Sequence, residues 1–187
     1  MLLFKIFKHV CLLLIVSSLC NLSYAKIINI KSTHTYIENN IYYLDALFNF
    51  ELTEEAGKAL RHGIALEIHT DFQLRLKREW LWDKTIIEKK IIYKLEHRPL
   101  TNNFLAINLN TGLRNSYSNL DAALNYITTA SKIKLFDQNI LQKNNQYLAR
   151  IKIFLDTESL PPPLRPQAYF SPKWDMSSEW FEWEVIQ

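Results

Sequence analysis

Ile64-Ala65-Leu66-Glu67-Ile68-His69-Thr70-Asp71-Phe72-Gln73-Leu74-Arg75-Leu76-Lys77 alternates almost without fault. Ile64, Leu66, Ile68, Phe72, Leu74 and Leu76 share one phase, interrupted only by Thr70. Glu67, His69, Asp71, Gln73, Arg75 and Lys77 share the other. Successive side chains of a strand point to opposite faces, so this stretch is a strand with one face in a core and one in water. At about 3.3 Å per residue it would run roughly 40 Å, and a bend or bulge is expected along it.

The same period extends outward in both directions. Tyr42, Leu44, Ala46, Phe48, Phe50 and Leu52 alternate with Asp45, Asn49 and Glu51. Lys26 to Tyr36 reads as the hairpin partner of that strand, with Glu38-Asn39-Asn40 as the turn. Ile86 to Leu95 is the expected antiparallel return of the long strand. Phe104 to Leu109 turns at Thr111-Gly112 into Leu113 to Tyr117. Ile133 to Phe136 is a short strand, and Tyr147 to Leu155 a longer one with Tyr147, Ala149, Ile151, Ile153 and Leu155 facing in.

Two helices interrupt this pattern. Thr53 is placed to cap one, with Glu54 and Glu55 in its first turn, Arg61 and His62 at its end and Gly63 as its C-terminal stop. Ser118-Asn119-Leu120-Asp121 is a capping-box variant, followed at helical spacing by Ala123, Leu124 and Ile127. The expected fold is therefore α+β, mainly an antiparallel β-sheet or sandwich with two short inserted helices. A membrane barrel, the rival for an exported chain of period-two strands, fits poorly. Helices break the strand series, long charged side chains would crowd a small lumen, and Val185-Ile186-Gln187 offers no aromatic anchor.

Residues 1–25 have the three parts of a signal peptide. Lys5 and Lys8 form the positive region, Val10 to Leu19 the apolar run, and Ser23-Tyr24-Ala25 the small-residue cleavage pattern. A spanning helix needs about 20 apolar residues, and this run is close to half that. Cys20 is preceded by Leu19, a poor fit to a lipidation motif. The expected organisation is a signal peptide over 1–25, then a single periplasmic α+β domain over 26–187. Cleavage removes both cysteines, Cys11 and Cys20, and with them any disulfide, thiolate metal site or cysteine nucleophile. The chain carries 22 Lys and Arg against 19 Asp and Glu, and two of those cations leave with the leader. That balance, without any block of like charge, argues against nucleic acid as a partner. No second apolar stretch is long enough to span a bilayer.

Arg78-Glu79-Trp80-Leu81-Trp82-Asp83 follows the long strand. Tryptophans beside cations can stack on sugars or form cation–π pairs. Equally, Trp80 and Trp82 can lie on one strand face and cap the core edge. The tail offers a second aromatic group, Trp174, Trp180 and Trp183, with Arg165. Five of the six prolines fall between Pro161 and Pro172, so Leu160 to Pro166 is expected to be extended and stiff, a connector or a recognition segment. Glu67, His69 and Asp71 share one strand face and could do acid–base work or hold a metal, but match no metal-site spacing. With glycine only at 57, 63 and 112, a phosphate-cradling loop is hard to build. No cofactor and no catalytic residue is assigned.

Several stretches together resemble a family of exported proteobacterial proteins, domain of unknown function 4390, sometimes called proline-rich signal-peptide proteins. They are Ala59-Leu60 through Gly63 to Leu66, Arg78 to Asp83 with its Trp-x-Trp, and Leu120 to Leu124. Arg150 to Thr157, Leu160 to Leu164, and Trp174 to Trp183 with Ser178 continue the series. The resemblance implies a Gram-negative envelope protein of one domain with no assigned activity, and supplies no catalytic residue. The functional expectation is a non-enzymatic periplasmic domain that binds an envelope protein, a glycan or a lipid head group. The candidate contacts are Arg78, Trp80, Trp82, Asp83, Arg165, Trp174, Trp180 and Trp183. The alternatives are a carboxylate/His69 hydrolase and a purely structural envelope component.

Overall fold

A computed structural model describes residues 28–186; the signal peptide and its cleavage site lie outside them. The first hairpin pairs β1 (Asn29–Glu38) with β2 (Ile41–Asn49). Only Asn39 and Asn40 separate the strands, and both have positive φ, 52° and 63°. That is the mirror-image turn whose twist matches the strands it joins, and asparagine tolerates it best after glycine.

Helix α1 (Glu54–Arg61) carries the chain to the second sheet. The Thr53 hydroxyl accepts from the Ala56 N–H at 3.3 Å. At the other end Gly63, at φ 86°, donates to the Leu60 carbonyl while Ile64 donates to that of Ala59. This is the paired C-terminal closure that a glycine there permits. The chain leaves it directly into β3 (Leu66–Leu76), which holds the long alternating stretch.

β3 is flanked on one side by β4 (Lys84–Arg98) and on the other by β8 (Tyr147–Leu155). β5 (Asn103–Asn108), β6 (Arg114–Tyr117) and β9 (Phe181–Glu184) extend this sheet to the order β6-β5-β4-β3-β8-β9. β7 (Thr129–Asp137) joins the first hairpin, giving the order β1-β2-β7. All pairings are antiparallel. The expected irregularity in the long hairpin is a register shift between Leu74 and Arg75 relative to β4.

The two sheets close on each other face to face. Leu66, Ile68, Phe72 and Leu74 of β3 and alternate residues of β8 are buried against Tyr42, Leu44 and Phe136 of the smaller sheet. Phe136 stacks on both Tyr42, at 4.6 Å between centroids, and Phe72, at 6.4 Å. Thr70, the one polar residue on the apolar phase of β3, is buried with its neighbours. Three strands cannot cover six, and α2 (Leu120–Thr128) fills much of the difference by packing on β5, β6, β2 and β7.

Three expectations are corrected. Asn119 rather than Ser118 caps α2, its side chain accepting from Ala122 N–H at 2.8 Å. A third short helix, α3 (Arg165–Phe170), joins the two foreseen. It begins where Leu160 to Pro166 was expected to be extended. Leu164 N–H instead closes a turn onto the Pro161 carbonyl at 2.9 Å. Pro166 then sits in the first helical turn, where its missing N–H has no partner to lose.

Candidate functional site

The eight candidate residues do not form one surface. Arg78, Trp80, Trp82 and Asp83 lie in the loop between β3 and β4. Arg165 and Trp174 sit beyond the far end of β8. Tyr147 of β8 pairs with Leu76 at the loop end of β3, and Leu155 with Ile68. Those eight strand positions place the two groups roughly 26 Å apart.

At the tail end, Trp174 is 5 % exposed and belongs to the core with Leu160, Ala168 and Met176. Arg165 donates Nε–H to the Leu160 carbonyl at 2.7 Å, holding the proline turn closed. Beyond Trp174 the chain lies along the free edge of β8. Leu155 N–H donates to the Met176 carbonyl and Ser178 N–H to that of Ile153, each at 2.8 Å. The buried Ser178 hydroxyl accepts from Ile153 N–H at 3.1 Å. β9 continues the pairing, and Trp183 packs its ring on Phe72 at 6.2 Å. Trp180, half-buried, lies over the Arg150 guanidinium at 4.3 Å. The tail tryptophans are structural in three different ways.

The β3–β4 loop is the opposite case. Trp80 is 93 % exposed, Leu81 67 % and Trp82 92 %. They stand at the apex of the hairpin and do not cap the core edge. Asp83 is tied back to Arg75 at 3.5 Å, and Lys77 to Glu184 of β9 at 3.2 Å. The base of the loop is thus braced on two sides while its tip is bare. Glu79 and Asp83 adjoin the tip, and the exposed Arg78 and Lys84 lie one residue further out on either side. The Trp-x-Trp spacing was visible in the sequence. Lys77, just before the segment, was visible there too; the basic flank Lys84 was not, because its part depends on the loop standing free.

The acid–base trio changes membership. On the outer face of β3, His69 Nε2 lies 3.5 Å from Glu67 Oε2 and 3.8 Å from Asp156 Oδ2. Ligand atoms of the three residues fall within 4.8 Å of one another, a donor set that could hold a divalent cation. Asp156 comes from the end of β8, hydrogen-bonded through its N–H to the Glu67 carbonyl at 2.9 Å. Nothing local in the sequence links it to His69. His69 packs against Phe154 with its side chain 13 % exposed, and its distance to Glu67 is at the outer limit of a hydrogen bond. The hydrolase alternative needs a tighter contact.

Asp71, the expected third member, lies next along the same face between Lys90 of β4 and Lys152 of β8. It is only 9 % exposed, its Oδ1 has no hydrogen-bond partner among the described residues, and Lys90 Nζ stays 4.0 Å from Oδ2. Burial raises its carboxyl above the ordinary range, with Lys90 and then His69 opposing. A raised carboxyl favours the protonated fold. The stability it contributes is complete below the unfolded value and lost as pH rises through the folded one. Asp71→Asn should therefore stabilise the protein at pH 7 by about 1 kcal/mol, with the gain fading towards pH 3. Urea denaturation at both pH values measures it, and a variant less stable than the parent at pH 7 would refute the account.

These features define an antiparallel α+β sandwich with a braced, bare aromatic loop at one end. The chain matches the family described as a domain of unknown function (DUF4390) over residues 25–184, and it belongs to that family. No curated protein and no solved structure matches it.

Proposed function

We propose that this chain is a non-enzymatic periplasmic binding domain of the cell envelope, and that it docks on a lipid surface through the β3–β4 tip. The observation that carries the reading is the run Trp80-Leu81-Trp82, exposed at 93, 67 and 92 % on a hairpin apex anchored at its base. Water is a poor solvent for such a run. The headgroup layer of a bilayer is a good one, because an indole buries its rings among acyl chains while its N–H stays hydrated. Arg78 and Lys84 beside the tip suit anionic headgroups. A glycan-stacking site would call for a platform, and this apex is convex. No helix among the described residues is long and apolar enough to cross a membrane. The leader-like residues 1–25 support export to a compartment with bilayers on both sides.

The test is co-sedimentation with vesicles of phosphatidylcholine alone and with added phosphatidylglycerol, alongside tryptophan emission. Binding that increases with anionic lipid, with a blue-shifted emission, is expected. Protein left in the supernatant with unshifted emission on both vesicle types would overturn the lipid reading in favour of a glycan or protein partner.

A further inference from the structure

The three-stranded sheet ends at β7, and beyond that edge part of the larger sheet stays uncovered. A cleft of about 530 Å³ opens there, within the usual size range of small-ligand sites. Its walls are the end of α2 with the start of β7 on one side and the β5–β6 turn on the other. Ile91, Tyr93, Tyr126 and Ile133 make it apolar within. Lys89, Lys90, Lys132 and Lys134 also line it, and no carboxylate does among the described residues.

Three of these lysines have acidic neighbours. Lys132 pairs with Glu38 at 2.7 Å, Lys134 with Asp137 at 3.5 Å, and Lys90 approaches Asp71 and Glu88 at about 4 Å. Lys89 is different. It falls on the inward phase of β4, between Ile87 and Ile91, and reaches across the seam to donate to the Lys134 carbonyl at 2.9 Å. It forms no ion pair among the described residues. Burial, and then the nearby Lys134 charge, lower the affinity of its amine for its proton, with the Asp137 carboxylate, which pairs with Lys134, opposing. A half-buried cation crowded by another cation is stabilised by an anion.

We infer that this seam is a binding site for an amphiphile, a single acyl chain lying on Tyr93, Tyr126 and Ile133 with its anionic head on Lys89 and Lys134. The inference is independent of the loop tip. The head is a carboxylate or a phosphate, as on a free fatty acid or a phospholipid fragment. Both satisfy the same lysines.

Titration calorimetry with laurate, dodecyl phosphate and dodecyltrimethylammonium, each below its micelle-forming concentration, tests it on the parent and on the Trp80→Ala/Trp82→Ala protein. One-to-one binding of an anionic amphiphile is expected, unchanged by the loop substitutions. Which of the two anions binds tighter distinguishes the sources. The cationic analogue should bind at least roughly tenfold more weakly, the scale of one charge-assisted contact. Lys89→Met should weaken the anions about tenfold and leave the cationic analogue unchanged. Lys134→Glu, at an exposed position, should weaken the anions too and guards against a folding defect in the first variant. Equal binding of both head charges, no anion binding, or indifference to both lysine substitutions would overturn the inference.

Discussion

Replacing Trp80 and Trp82 together by alanine is expected to abolish vesicle binding while leaving the folded domain as stable as before. The two halves of that result have separate causes. Both rings are more than 90 % exposed and outside the core, so their removal creates no cavity, and exposed substitutions of this kind stay within about 0.5 kcal/mol. At a bilayer the same rings are transferred out of water. A tryptophan can bury roughly 150–250 Å², which at about 25 cal/mol per Å² is some 4–6 kcal/mol for full transfer. Even half of that per ring makes the pair responsible for more than roughly 100-fold in partitioning. Vesicle co-sedimentation and thermal melting measure the two halves. Retained binding would remove the tip from the function, and a lowered melting temperature would show that the rings serve the fold.

Trp174→Ala is expected to do the reverse. Trp174 is 5 % exposed and packed in the cluster that includes Leu160, Ala168 and Met176. Truncating a buried aromatic to alanine removes its transfer energy and leaves a void, together about 3–5 kcal/mol. For a domain of this size that is on the order of 10 °C in melting temperature. The effect should spread, because Met176 and Ser178 just beyond it hold the free edge of β8 through backbone hydrogen bonds. Trp174→Phe should recover much of the loss. Vesicle binding per folded molecule should not change. An alanine variant that melts with the parent would place Trp174 outside the core.

The contrast between these tryptophans shows where reading a sequence stops. In β8 the alternation Tyr147, Ala149, Ile151, Ile153, Leu155 named the buried residues one by one. Thr53 and Gly63 bounded α1 correctly, because a capping hydroxyl and a left-handed glycine act within a few residues. Asn119 displaced Ser118 as a cap by a single position, which neighbouring capping residues cannot resolve by type alone. The proline segment departs from its expected extended form for a related reason. Proline sets φ near −65°, and that value serves an extended chain, a turn and a first helical turn alike.

Tertiary structure alone decided the chemistry of the surfaces. His69 meets Asp156 because β3 and β8 are sheet neighbours, although many residues separate them in the chain. The seam cleft exists because three strands and a short helix incompletely cover six strands. Its one sequence trace is Lys89 on the apolar phase of β4, which looks locally like a mere lapse in the pattern. The alternation from Ile64 to Lys77 and its counterparts determined that this chain makes antiparallel sheets with one buried face each, since a period of two is written into the strands. Which of its tryptophans are buried and which stand bare was decided by the fold. An indole is stable in either place, and only the assembled neighbours determine whether a core reaches it.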